Sequence, residues 1–244
     1  MIISKNKNNI IPFFMMVFLF SACSVMKVDK SENRILSYSD DFNNRIRFHI
    51  RWKNDSQNSP KSYRLSKGNL EISTREQSLD RVKVKSKKDI FGAGIYKWRI
   101  FVPAMGLYEQ CSIGAFLYHS GDINYEIDFE IGSGTKAHRD QVDAKDHEVL
   151  VHCTTQIAPY DNEIFTIEAM KYYDFSIELM NGANNCYLVK WFIDDELVKT
   201  LQTNISTEIT FSIHNSLENL SFMGDQLPSI ENYVLFDRFE FIGE

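Results

Sequence analysis

The feature that most constrains this chain is a long succession of short strand-like runs separated by turn residues, with almost no helical periodicity. Leu70-Glu71-Ile72 follows Gly68-Asn69, and Arg81-Val82-Lys83-Val84-Lys85 alternates strictly. Ile95 to Val102 lies between Phe91-Gly92-Ala93-Gly94 and Pro103. Further runs follow at Ser112 to Tyr118, Tyr125 to Ile131, Glu148 to Thr154, Phe175 to Leu179, Leu188 to Ile193, Ile209 to Ile213 and Phe236 to Ile242. Many short strands at such spacing predict an all-β sandwich or barrel. Glu163 to Met170 is the one stretch whose period fits helix as well as strand. Aromatic residues make up 13% of the chain, enough to fill a large core.

The first 22 residues read as a targeting segment. Lys5 and Lys7 precede an uncharged apolar run, Ile10 to Phe20, which is shorter than the roughly 20 residues a bilayer span needs. Phe20-Ser21-Ala22-Cys23 resembles the lipobox of bacterial lipoproteins. That resemblance implies cleavage before Cys23, lipid on its thiol, a polar tether over 23–37 and a folded domain over 38–244. It places the protein in the cell envelope, lipid-anchored at the outer membrane, or secreted.

Net charge is −6 with no basic block, which argues against phosphate-dominated nucleic-acid binding. Cys111, Cys153 and Cys186 remain beyond Cys23, an odd number without C-x-x-C spacing. Free thiols therefore suit them better than a disulfide framework or a zinc site.

The informative segment is Asn124-Tyr125-Glu126-Ile127-Asp128-Phe129-Glu130-Ile131-Gly132. Period-two geometry puts Ile127, Phe129 and Ile131 on a core face and the three carboxylates together on the outer face. No basic residue on the same face is expected to relieve them, and like charges side by side on a sheet repel. One strand does not make the cage of six to eight oxygens that calcium needs, so no metal or other cofactor is expected. Paired carboxyl groups suit glycoside hydrolysis, in which one attacks and the other gives and takes a proton.

At these residues the chain resembles glycoside hydrolase family 16, whose members carry Glu-x-Asp-x-Glu on a cleft strand of a concanavalin A-like jelly roll. Asp40-Asp41-Phe42, Gly68-Asn69-Leu70, Phe91 to Pro103, Ala115-Phe116-Leu117, Val189 to Asp194 and Phe236 to Phe239 resemble its other strands in order and spacing. The resemblance implies a retaining endo-β-glycanase acting on a β-glucan or related polysaccharide, as a monomer. Glu126 would be the nucleophile, Asp128 the assisting acid and Glu130 the general acid/base. His152 corresponds to a cleft histidine of laminarinase-like members. Asn124 stands where lichenase-like members place a tryptophan, and two later platform positions fall on His214 and Phe222. The chain has three tryptophans, Trp52, Trp98 and Trp191, and the last two alternate as core residues. That scarcity keeps open a non-catalytic glycan-binding protein or an adhesion protein on the same fold.

Overall fold

The computed structural model describes residues 37–58 and 60–244. The expectations for the targeting segment, for Cys23 and for most of the tether lie outside the described residues. In chain order the elements are β1 (Ser37–Asp40), α1 (Arg45–Arg51), β2 (Trp52–Asn54), β3 (Tyr63–Ser66), β4 (Asn69–Thr74), β5 (Arg81–Ser86), β6 (Gly94–Val102) and β7 (Ser112–His119). Next come β8 (Tyr125–Gly132), α2 (Lys136–Val142), β9 (Glu148–Thr155), β10 (Asp161–Glu168) and β11 (Lys171–Asn181). β12 (Cys186–Ile193), β13 (Glu196–Ser206), β14 (Ser212–Glu218) and β15 (Asn232–Gly243) complete the series.

The strands form two antiparallel sheets. One runs β13-β12-β11-β6-β15-β4-β3, with β1 also paired to β15; the other runs β10-β9-β8-β7-β14-β5-β2. Both orders jump along the sequence, as a jelly roll requires. The facing sides are apolar. Ile127, Phe129 and Ile131 of β8 and Tyr96, Trp98 and Ile100 of β6 are all wholly buried. Each such side chain contributes about 1.5–3 kcal/mol by leaving water. Trp52 and Trp191 are in the same core, so none of the three tryptophans faces solvent.

Local chemistry explains the tight connections. Lys67 and Gly68 take left-handed φ values of 49° and 79° between β3 and β4, the geometry of a type I′ hairpin turn. Asp194 and Asp195 do the same between β12 and β13, at 49° and 64°. Aspartate tolerates this region better than most non-glycine residues, so Asp195 fills a place that usually calls for glycine.

One ambiguity is resolved and one strand expectation needs correction. The stretch at Glu163 to Met170 falls to strand: Asp161 to Glu168 is edge strand β10. Phe165 and Ile167 share one face while Ile164 stands on the other, which blurs the period. Ile209 to Ile213 is displaced, since the strand runs from Ser212 to Glu218. The three cysteines beyond Cys23 are free, with Cys111 and Cys153 buried.

Candidate active site

Adjacent strands of the second sheet meet in register. Directly opposed residues share a face, so the paired strands read as rows across the sheet. One row is Thr154–Asp128–Phe116–His214–Lys85–Lys53. The next is His152–Glu130–Gly114–Ser216–Lys83, and a third is Gly132–Ser112–Glu218–Arg81. These rows form the face turned away from the core.

A cavity of about 460 Å³ crosses the strands on this face, lined among others by Glu126, Glu130, Phe116, Tyr118, Arg81 and Lys83. A second, of about 360 Å³, is lined by His138, His152, Tyr160 and Asn162. Glu130, Gln156 and Phe222 border both. The carboxylate pair therefore stands in a groove that continues to either side of Glu130.

The trio is less solvated than alternation alone predicts. Glu126 is half-buried, while Asp128 is 0% exposed and Glu130 6%. Burial is the largest cause raising all three pKa values. Glu126 is pushed up to about 7, with Glu218 adding repulsion and Lys83 and Arg81 opposing it. Asp128 is held well above the ordinary range by burial and by Glu126. Glu130 is held up by burial, then by Asp128 and Glu218. Like charges in a poorly solvated site cannot all ionise near their normal values. Glu126 is the carboxyl that ionises first.

Hydrogen bonds fix the neighbours. Ser112 Oγ donates to Glu130, and Gln156 Nε2 donates to Asp128 Oδ2 at 3.3 Å. From the opposite sheet, Trp191 Nε1 donates to the backbone oxygen of Asp128 at 3.0 Å. Buried Lys199 reaches across to the carbonyl of Cys153 at 2.7 Å. These two ties pin β8 and β9 to the layer beneath, which is how a site holds its geometry without loops.

Two buried histidines, His152 and His214, are held neutral. His152 shares Asn162 Oδ1, at 3.2 Å, with the hydroxyl of Thr154. An amide oxygen only accepts, so His152 carries its proton on Nδ1. Burial, with the nearby His138, lowers its pKa to about 4. His214 stacks on Phe116 at 4.5 Å between ring centroids, and its Nε2 lies 2.9 Å from Ser212 Oγ. That hydroxyl gives its proton to the Tyr118 carbonyl, so Nε2 of His214 is the protonated nitrogen. His152 Nε2 and His214 Nδ1 are buried without protein partners among the described residues.

The sequence-predicted residues are thus largely brought together. Glu126, Glu130, His152, His214 and Phe222 line the groove, and Asp128 lies under it between the two glutamates. Asn124 does not join them: it sits in the turn before β8, where Oδ1 accepts from the Gly121 amide at 3.4 Å. Sequence reasoning missed Phe116 and Tyr118, the aromatic residues nearest the acids in register. Their parity was available, since the alternating Ala115 and Leu117 point to the core. It also missed the relief of Glu126 by Lys83 and Arg81, which stand on the same face of the sheet and arrive from β5.

The fold and the groove define a class, the jelly-roll sandwich of the β-glucanase type. Comparison with solved structures gives that class particular members. The Bacillus licheniformis β-glucanase superposes with a TM-score of 0.64 at 15% identity, over 85% of this chain and 98% of that one. A laminarinase from Flavobacterium sp. UMI-01 gives 0.65 at 12% identity, over 85% and 99%. Porphyranase B from Zobellia galactanivorans gives 0.59 at 11% identity, over 84% and 90%. No family model matches the chain, and no curated protein matches it. At these identities the likeness establishes the fold.

Proposed function

We propose that this chain is a retaining endo-β-glycanase of glycoside hydrolase family 16, acting on a β-glucan or related polysaccharide. One observation carries the reading. Two glutamates four residues apart on one cleft strand are graded in ionisation, with a buried aspartate between them. Retaining hydrolysis needs an ionised nucleophile and a protonated acid at once. Glu126, at about 7, suits the nucleophile. Glu130, held well above the ordinary range, suits the acid that protonates the leaving oxygen and then activates water. Asp128 stays protonated between them and reduces the charge against which Glu126 must ionise. Phe116, Tyr118 and Phe222 offer apolar faces to sugar rings.

Anchoring completes the proposal: lipid on Cys23 would hold the domain at the envelope surface where polysaccharide arrives. The burial of all three tryptophans favours a second reading, a glycan-binding protein without turnover.

A reducing-sugar screen over plant, fungal and algal polysaccharides separates the two. With the best substrate found, Glu126→Ala should abolish turnover, and azide should restore reaction on an activated glycoside with inversion. Glu130→Ala should keep activity on leaving groups that need no proton, with azide giving retained product. Wild-type activity in both variants would sink the assignment.

A further inference from the structure

We infer that helix α1 and the cationic hollow beside it form a docking surface for an anionic lipid bilayer. The surface lies outside the groove lining and does not depend on the glycanase reading.

The helix is held by one side chain and turns the rest of itself to solvent. Phe48 is its buried residue, with ring centroids 6.3 Å from Phe42 and 6.1 Å from Tyr63. Asn44 caps the first turn, its Oδ1 accepting from the Arg47 amide at 2.9 Å. At about 100° of turn per residue, Ile46 and Ile50 share the side opposite Phe48. They are 74% and 69% exposed, the most exposed large apolar side chains among the described residues. The same turn angle puts Arg45 and His49 along one flank of this ridge and Arg47 and Arg51 along the other. An apolar ridge between two rows of cations is the pattern of a helix that lies in a membrane interface.

Local charge contrasts with that of the whole chain. Lys87 and Lys88 stand at the end of α1, where the Lys87 amide donates to the Arg51 carbonyl at 2.7 Å and its ammonium to the His49 carbonyl. With Lys53, the cations Arg45, Arg47, Arg51, Lys87 and Lys88 meet only three carboxylates. Asp40 is buried under the Trp52 indole, Asp41 pairs with Arg47 at 3.5 Å, and Asp89 is exposed. This region is therefore positive in a chain of net charge −6, and it is the part that complements an anionic leaflet.

The hollow offers a place for a headgroup. It holds about 210 Å³ and is lined by Arg45, His49, Lys61 and Arg64 with Phe48 and Tyr63, and no carboxylate among the described residues borders it. Glu71 engages Arg64 at 2.6 Å, while Arg45 and Lys61 have no carboxylate partner among the described residues. Such cations suit a phosphodiester. The chain also enters the fold here. Tyr38, one residue into β1, donates its hydroxyl to the Arg51 carbonyl at 3.0 Å, and the Arg51 guanidinium lies 4.9 Å from its ring centroid. An anchor at Cys23 would thus hold the domain by the end that bears α1, through thirteen residues, 24–36, that reach no more than about 50 Å.

Residues 24–244 hold every strand and the whole core but neither Cys23 nor the apolar run before it, so they test the surface apart from any anchor. In sedimentation with phosphatidylcholine vesicles, added phosphatidylglycerol should strengthen binding by about tenfold or more, and salt should reverse the gain. Arg45→Gln with Lys61→Gln should weaken binding to the anionic vesicles on the order of thirtyfold, at about fivefold per cation. Ile46→Ser with Ile50→Ser should weaken it by about tenfold. All four side chains are exposed, so the unfolding midpoint should hold in both variants. Lys136→Gln with Lys171→Gln, exposed lysines elsewhere, should leave binding intact; an equal fall would reveal general attraction and overturn the surface. Parental binding by the isoleucine variant would overturn it, as would equal binding to neutral vesicles. Full displacement by inorganic phosphate at constant ionic strength would identify a free-phosphate pocket and overturn the bilayer assignment. Failure to bind anionic vesicles would overturn the surface even where Cys23 proves to carry lipid.

Discussion

Ionising the carboxyl trio works against the fold, and neutralising one member should return that stability. Glu126 titrates at about 7, against an ordinary glutamate value of 4.5. Between those pH values the folded chain holds a proton that the unfolded chain has released. Stability therefore falls with rising pH across this window, and is fully present below 4.5 and lost above about 7. At about 1.4 kcal/mol per pH unit, the loss comes to about 3 kcal/mol. Domains of this kind have total stabilities of about 5–15 kcal/mol, so the effect is measurable. Glutamine keeps the shape and removes the charge. Glu126→Gln should thus stabilise the protein by about 3 kcal/mol at about pH 8.5 and by little near pH 4. The charge on Glu126 also raises the pKa values of Asp128 and Glu130, so relief at those groups adds in the same direction. Urea unfolding followed by tryptophan fluorescence suits the assay, because all three indoles are buried. A variant no more stable than the parent at alkaline pH refutes the reasoning, as does a gain that persists at pH 4.

The same ionisation order sets the pH profile of kcat/KM: an acidic limb near pH 7 from Glu126 and an alkaline limb as Glu130 loses its proton. An acidic limb at the ordinary carboxylate range would show that the nucleophile is solvated. Phe222 is 43% exposed and borders both cavities, so Phe222→Ala should raise KM more than it lowers kcat; lost stability with unchanged KM would make its role structural. Cys23→Ala should release soluble or unprocessed protein on membrane fractionation, and membrane-bound variant at the normal mature mass would exclude the lipid anchor.

What the sequence discloses depends on whether a strand has one dry face. β8 was legible because Ile127, Phe129 and Ile131 alternate with acids, and its dry side meets the other sheet. β14 was not. It runs Ser212-Ile213-His214-Asn215-Ser216-Leu217-Glu218, with polar residues toward the groove and Asn215 buried on the core side. The apolar alternation at Ile209, Phe211 and Ile213 drew the expected strand toward the preceding turn. The groove residues fall into the same two groups. Glu126 and Glu130 are four apart and share a strand, so their parity follows from the chain. Lys83 and Glu218 lie 135 residues apart and meet through the order β8-β7-β14-β5, which no local pattern encodes.

That hidden order bears on the chemistry of the visible motif. Three acids on one strand face carry no instruction about which of them ionises. Burial along β8 supplies part of the answer, since Asp128 and Glu130 are deeper than Glu126. The cations supply the rest: Lys83 and Arg81 favour the ionised form of Glu126. At Glu130 the acidic neighbours, Asp128, Glu218 and Glu126, all disfavour it. Glu218 is pivotal because it repels both glutamates while holding Arg81 and Lys83 in the groove. The division of labour proposed for nucleophile and acid is thus a property of the whole sheet, written on β5 and β14 as much as on the strand that bears the motif.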